Sequence, residues 1–526
     1  MGIYLNPGNE AFQMSVSSQI YIDKTGMIEY TNSVIASEQR NICVSRPRRF
    51  GKSMAANMLA AYYSKGCDSR EIFQDLAAGS LRDFGKHLNQ YNLIFLNMQR
   101  FLSRSGGTEK LVSYLQNEVL RELREQYGDL ISPDEKMLTV ALESIFEKTK
   151  NGFVFIIDEW DCIFREKQHA VTAQTAYLDF LRDLLKDQPY VQLAYMTGIL
   201  PIKKYGTHSA LNMFDEFSMT DPRMLAQYVG FTESEVALLC EKYQMDFEET
   251  QKWYDGYRFS ENIHIYSPKS VVDAMRNHSF DSYWTETETY ESLKIYIEMN
   301  FDGLKDAIII MLGGGRYPIN TRKFQNDMTT FKSKDDVLTL LVHLGYLAYD
   351  VGSQEVFIPN QEVEGEFKNA IEDSGWTEVM KALESSDKLL WATLNQKEEL
   401  VAEAINRVHM ETTSILNYNN ENSLSCVITL AYYSAKKEYI LVREYPSGNG
   451  FADIVFLPRK YTSKPAFIVE LKWDKSAEGA IAQIKDRHYT KSLEAYEGEI
   501  LLVGINYDRK SKRHQCLIEK MERQIS

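Results

Sequence analysis

Two groups of residues in this chain have the types and spacing to do chemistry. The first is built around Gly51-Lys52-Ser53. A short apolar run, Asn41-Ile42-Cys43-Val44, precedes it and suits a buried parallel strand. Strong helix formers follow from Met54 to Tyr63, with apolar residues at helical spacing. Strand, tight loop and helix in that order place backbone N–H groups at a helix N-terminus, where they suit a phosphate. Lys52 adds a mobile positive charge, and the Ser53 hydroxyl can ligate magnesium. The full phosphate-loop pattern has a glycine five residues before Gly51, and here Arg46 stands there.

Downstream, Phe153-Val154-Phe155-Ile156-Ile157 is an apolar run that ends in Asp158-Glu159. Such a strand delivers Asp158 to the C-terminal edge of a parallel sheet, where ligands bind. Asp158 is expected to hold magnesium through water, and Glu159 to polarise the attacking water as a general base. The next strand, Val191 to Gly198, carries Thr197 near its tip. That residue is either a sensor near a γ-phosphate or an ordinary strand-ending threonine. Tyr21-Ile22-Asp23-Lys24-Thr25-Gly26, near the start, is either a cap on the core or a wall for an adenine base.

The second group lies near the C-terminus. Gly448 to Leu457 reads as a turn and a strand with one inward acid, Asp453. Pro465 to Trp473 is another, on which Glu470 and Lys472 share a face because strand side chains repeat every two residues. Two carboxylates hold a hard divalent ion through oxygen. The ion polarises a phosphate and lowers the pKa of a bound water, while the lysine orients that water and offsets developing charge. This is the equipment of metal-dependent phosphodiester hydrolysis. Glu421 is a further candidate metal ligand from the preceding helix, and Gln483 and Tyr489 are candidates to face the same groove. Arg459, Lys460, Lys464, Lys475, Lys485, Arg487 and Lys491 could supply a local positive field.

The elements that must position these groups follow from pattern and length. At 526 residues the chain has room for about three domains. Strands alternate with helices up to about residue 220, which predicts a parallel, doubly wound sheet. Residues 221 to about 400 are rich in helical spacing. There Trp253 to Phe259 forms a dense aromatic turn, read as packing, with Arg258 a candidate phosphate contact. Leu338 to Leu347 followed by Glu355 to Pro359 predicts a helix and hairpin like those of a winged helix, with His343 as a core residue. The net charge of −15 argues against a protein that coats nucleic acid nonspecifically. Six scattered cysteines without a C-x-x-C pair predict reduced thiols rather than a disulfide framework or zinc site. No run of 18 apolar residues occurs, and Met1 to Glu10 lacks a secretory pattern. The expectation is a cytoplasmic protein without a membrane span.

Taken together, these motifs resemble a prokaryotic family with an AAA-ATPase-like N-terminal domain and a C-terminal domain of the PD-(D/E)XK nuclease superfamily. The matching pieces are Tyr21 to Thr25, Arg46-Pro47-Arg48-Arg49-Phe50-Gly51-Lys52-Ser53, Ile156 to Glu159, Thr197 to Ile199, Trp253 to Tyr257, and Asp453 to Lys472. In that family arginine commonly replaces the first loop glycine. The resemblance implies a P-loop NTPase-type parallel sheet over residues 1–220 and a helical, winged-helix-like region over 221–400. It implies a restriction-endonuclease-like α/β domain over 401–526. It also implies ATP, with Mg2+, bound by Arg46 to Ser53, Asp158 and Thr197. Glu159, Asp453, Glu470 and Lys472 would act catalytically, and Ser53, Asp158, Glu421, Asp453 and Glu470 would ligate metal. DNA is the expected partner, and a homo-oligomer is allowed, with Arg48, Arg49 or Arg258 as candidate arginine fingers. The functional expectation is an ATPase coupled to a DNA nuclease. The alternative is a nucleotide-switched binding or signalling protein whose nuclease-like domain is inactive.

Overall fold

The computed structural model describes residues 2–202, 211–260, 263–284, 289–299, 301–324, 331–412, 427–447, 450–459, 464–486, 496 and 498–521. The chain forms two compact units. One comprises Met1–Thr287 and Pro318–Val363, the other Glu288–Tyr317 and Glu364–Ser526. No helix among the described residues is long and apolar enough to cross a membrane.

The first unit is organised on a five-stranded sheet. Its strands are β1 (Asn41–Ser45), β2 (Asn92–Asn97), β3 (Phe153–Asp158), β4 (Val191–Gly198) and β5 (Asp215–Phe217), in the order β2-β3-β4-β1-β5. Every pairing is parallel. β3 is buried along its whole length, as a strand covered on both faces must be, and this explains its unbroken apolar run. Helix α1 (Lys52–Tyr63) follows β1 directly and packs on the sheet through Ala56, Leu59, Ala60 and Tyr63. The short helix α2 (Cys162–Glu166) follows β3.

A smaller three-stranded sheet belongs to the same unit. It pairs β6 (Phe231–Thr232) and β7 (Tyr257–Ser260) with the central β8 (Ile263–Tyr266). Helices α3 (Glu233–Tyr243) and α4 (Phe247–Tyr254) lie between β6 and β7, and α5 (Pro268–Asn277) follows β8. The aromatic stretch that reads as a turn therefore ends as a strand: its alternating Tyr257 and Phe259 are buried while Arg258 is exposed. Helix α6 (Lys334–Leu344) leads into a hairpin of β9 (Ala348–Asp350) and β10 (Glu355–Phe357), the expected helix-then-hairpin unit. His343 is buried in α6 and stacks on Phe324.

The second unit holds a mixed sheet in sequential order. It runs β11 (Tyr439–Ser447), β12 (Gly450–Pro458), β13 (Ala466–Trp473), β14 (Ile500–Asp508) and β15 (Arg513–Lys520). Only β13 and β14 pair in parallel, and helix α7 (Ala477–Asp486) lies in the crossover between them. Gly504 on β14 makes that crossover close. A Cβ there would sit 2.4 Å from the Ala477 carbonyl and 3.0 Å from Ile481. The missing side chain lets α7 lie directly on the strands. Cys43, Cys67, Cys162, Cys240 and Cys516 are unpaired thiols, and Cys426 lies outside the described residues.

Candidate functional sites

The first site forms where β1, β3 and β4 end on the same edge of the sheet. The chain leaves β1 through Pro47 and Arg48, turns with Arg49 at φ 66° and Gly51 at φ 92°, and enters α1 at Lys52. A left-handed residue immediately before a helix suits glycine, and no atom lies within 4 Å of where a Gly51 Cβ would stand. The backbone there is open, as a phosphate cradle requires. Lys52 is buried and its Nζ donates to the Pro47 carbonyl at 2.8 Å, so the ammonium spans the loop. Burial pulls its pKa down to about 8, against the opposing pull of the Glu159, Asp161 and Asp158 carboxylates.

Asp158 gathers the surrounding groups. Its Oδ2 accepts from Ser53 Oγ at 2.8 Å and from Asn97 Nδ2 at 3.2 Å, and its Oδ1 accepts from Thr197 Oγ1 at 2.6 Å. Four segments meet on one carboxylate because the register sets Asn97 opposite Asp158 and β4 runs alongside β3. Two oxygens that share an octahedral ion at about 2.1 Å lie about 2.9 Å apart. The Ser53 and Asp158 oxygens already have that spacing, so the pair fits a divalent cation.

Glu159 follows at φ 59°, a strained backbone for a non-glycine residue, and its carboxylate is ion-paired to Arg165 Nη2. Arg165 Nε also holds Asp161 at 3.1 Å, and Asp161 is fully buried, accepting from the backbone N–H groups of Ile199 and Leu200. Asp161, Arg165 and Asn97 were not singled out by the sequence. The signal for Asn97 was available, since it is a polar residue ending an apolar strand, as Thr197 is.

The remaining loop residues divide by role. The Arg46 side chain is fully buried, donates Nη1 to the carbonyls of Ser45 and Phe217 at 2.9 Å each, and stacks over Phe259 at 4.8 Å. Its charge serves the packing under the loop. Phe50 is buried edge-on against Tyr257 at 5.3 Å, and Trp284 Nε1 donates to the Arg48 carbonyl at 3.1 Å. The loop is thus clamped from behind by aromatic residues. Arg49 is exposed beside a cavity of about 530 Å3 whose walls include Tyr21, Ile22, Phe50, Met54, Phe231 and Val272. Its apolar walls beside a phosphate cradle suit a planar base.

The second site lies on β12, β13 and α7. Ile454 pairs with Val469, which sets Asp453 alongside Glu470, and Asp453 Oδ2 accepts the Leu471 N–H at 2.7 Å. Glu470 is 1% exposed. Its Oε1 accepts from Lys472 Nζ at 2.9 Å and from Gln483 Nε2, which α7 brings across the sheet. Its Oε2 is buried and makes no hydrogen bond of good geometry, although the Asp453 backbone N–H lies beside the carboxylate. Burial, reinforced by Asp453, raises the Glu470 pKa to about 7, with Lys472 opposing. A buried carboxylate oxygen without a well-aligned donor, beside a second carboxylate, fits a divalent cation. Glu421, Tyr489, Lys460, Arg487 and Lys491 lie outside the described residues. Lys464 and Lys485 are ion-paired with Glu438 and Glu519.

Comparison with known proteins agrees with this division. A family model described as Predicted AAA-ATPase matches residues 9–207, and one described as PD-(D/E)XK nuclease superfamily matches residues 419–516. An uncharacterized protein in the vnfD 5' region of Azotobacter chroococcum mcd 1 is 24% identical over 288 residues, 51% of each chain. The chain thus spans about half the length of that curated relative. Among solved structures, a Walker-type ATPase of Pyrococcus abyssi is similar with a TM-score of 0.34 and 14% identity, covering 66% of this chain and 94% of that one. The ORC2 protein of Aeropyrum pernix gives 0.29 and 12%, covering 68% and 97%. The family matches, the phosphate-type loop on a parallel sheet and the acid cluster on a mixed sheet agree: the chain joins a predicted AAA-ATPase domain to a C-terminal domain of the PD-(D/E)XK nuclease superfamily.

Proposed function

We propose that the N-terminal unit binds and hydrolyses ATP with Mg2+, and that the C-terminal domain is a metal-dependent DNA nuclease under nucleotide control. The observation that carries the nuclease reading is the buried Glu470 carboxylate. One oxygen is held by Lys472 and Gln483, and the other makes no hydrogen bond of good geometry, with only the Asp453 backbone N–H beside the carboxylate. A bound divalent ion would supply Lewis acidity and a more acidic water. Asp453 and Glu470 would hold it, and Lys472 would stay within reach of the attacking water while Gln483 fixes the Glu470 rotamer.

In the N-terminal unit, backbone N–H groups from Arg48 to Ser53 would cradle the phosphates. Lys52 would leave the Pro47 carbonyl for a phosphate oxygen. Ser53 and Asp158 would hold the ion, with Thr197 and Asn97 fixing the carboxylate. Glu159 would take a proton from the attacking water once released from Arg165. The base would occupy the cavity lined by Tyr21 and Phe231. The unpaired thiols accord with a reducing, cytoplasmic location.

The decisive experiment measures phosphate release and cleavage of plasmid and single-stranded DNA with Mg2+, each with and without ATP. Wild type should cleave, Glu470→Ala and Lys472→Ala should not, and Glu159→Gln should bind ATP without turning it over. No cleavage by wild type, or cleavage that survives Glu470→Ala, would sink the nuclease reading.

One observation favours a second reading. The Glu159 carboxylate is committed to Arg165, so the base is already neutralised by a cation. A nucleotide-switched protein that grips nucleic acid or another protein without cutting would hydrolyse ATP slowly. Under that reading, DNA or protein binding tolerates Asp453→Asn and responds to nucleotide.

A further inference from the structure

Away from both sites, three potential metal ligands converge on the small sheet of the first unit. Glu233 is the first residue of α3, Asp255 directly follows α4, and His264 lies on β8. His264 Nδ1 is 3.0 Å from Asp255 Oδ2 and 3.5 Å from Glu233 Oε2, and the three candidate ligand atoms all lie within 4.8 Å of one another. Three separate elements supply them, so the grouping reflects the tertiary fold and not one helix face.

A histidine between two carboxylates is also a plain ion pair. Two further observations separate the readings. Asp255 Oδ1 is buried with no hydrogen-bond partner. Tyr266, next but one to His264, is fully buried, and its hydroxyl makes no hydrogen bond of good geometry, although Gln251 lies beside it. The charges of Asp255 and Glu233 act on that hydroxyl. A buried phenol in the field of two carboxylates, and a carboxylate oxygen without a donor, leave polar capacity that an ion pair alone does not use.

We propose that Glu233, Asp255 and His264 form a site for a zinc-type divalent transition ion. Imidazole nitrogen with two carboxylate oxygens is a borderline donor set of that class. Ligands about 2.0–2.1 Å from a tetrahedral ion lie about 3.3 Å apart, and the two His264 separations bracket that value. The Glu233 side chain is 45% exposed, so it can swing to close the remaining gap, and it leaves an outward position for water. Binding displaces any proton on His264 Nδ1, and the ion takes over the charge that the imidazolium would carry. The consequence is mechanical. β6, an edge strand of this sheet, and α5, which follows β8, contribute Phe231 and Val272 to the cavity beside the Gly51 loop. An ion tying α3, α4 and β8 together would brace that wall. The site does not depend on what the cavity holds.

The test uses the full chain carrying Asp158→Asn, Asp453→Asn and Glu470→Gln, which silences the two other candidate cation sites, after dialysis against a chelator. Zn2+ is titrated by calorimetry, and Co2+ by its visible d–d absorption. The expected result is one saturable equivalent per chain and a structured Co2+ spectrum. His264→Gln and Glu233→Gln should each weaken binding at least about tenfold. Glu233 begins a helix and is partly exposed, so Glu233→Gln serves as the variant that folds, checked by an unchanged Tm in chelator. No saturable equivalent, or unchanged affinity in Glu233→Gln, overturns the proposal.

Discussion

The buried Glu470 makes a quantitative prediction about the metal-free protein. Its pKa is raised from the usual 4.5 to about 7, chiefly by burial, then by Asp453, with Lys472 opposing. Between those values the folded protein holds a proton that the unfolded chain has released. The stability this represents is fully present below the unfolded value and is lost as pH rises through the folded one. Each pH unit in that window corresponds to about 1.4 kcal/mol. The ionised carboxylate therefore costs about 3 kcal/mol near pH 8, but only about 1 kcal/mol near pH 5. Glu470→Gln mimics the protonated acid and leaves Lys472 in the same setting, so other titrating groups cancel when variant and wild type are compared. Paired urea unfolding in chelator, followed by circular dichroism, should find the variant more stable by about 3 kcal/mol near pH 8, the gap narrowing to about 1 kcal/mol near pH 5. Divalent ion added near pH 8 should stabilise wild type more than the variant. A gap equal at both pH values, or a variant that gains from the ion as much as wild type, would refute the assignment of Glu470 as a strained carboxylate awaiting a cation.

Further outcomes follow from the loop site. Lys52→Ala should weaken ATP binding by at least about tenfold by calorimetry, since it removes a charge-assisted contact of about 1.5–3 kcal/mol. Because burial lowers the Lys52 pKa to about 8, wild-type affinity for ATP should fall as pH rises through that value, and the Lys52→Ala profile should be flat there. Asp158→Asn keeps the size of the side chain but loses the charge, so it should abolish the Mg2+ dependence of nucleotide binding while the far-ultraviolet spectrum stays unchanged. Arg165→Ala strips the fully buried Asp161 of its ionic partner and should destabilise the chain by about 3 kcal/mol in thermal unfolding, as broken buried pairs do.

The chemistry of both sites was legible because it sits on local patterns. Gly51-Lys52-Ser53 needs only a strand before it and a helix after it. Glu470 and Lys472 needed only the two-residue period of a strand, and the Lys472 contact shows that shared face directly. The strand-ending Asp158 was equally local. What the sequence hid was set by non-local pairing. Arg46 occupies a glycine position in the loop pattern, which suggests charge near phosphates. Its guanidinium instead turns under the sheet to the Phe217 carbonyl, on a strand whose three residues give no periodic signal. Asp161 and Arg165 look like an ordinary cap and last-turn residue of a short helix until the chain after β4 delivers the Ile199 and Leu200 N–H groups to Asp161. The grouping of Glu233, Asp255 and His264 was hidden for the same reason, since β8 must fold back between β6 and β7 to create it.

The Asp158 carboxylate has a consequence for how quickly an ion can be accepted. In the described structure it has no rotational freedom left: Thr197 fixes one oxygen, and Ser53 and Asn97 share the other. An arriving cation need not capture a wandering side chain. Under the proposed function it would enter where the Ser53 hydroxyl now donates to Asp158, the hydroxyl keeping its proton and turning a lone pair to the ion while Thr197 keeps its grip. Most of the ordering entropy was spent when the chain folded, so loading becomes a small local rearrangement. A strand-end threonine would thereby order a site whose ion it never touches.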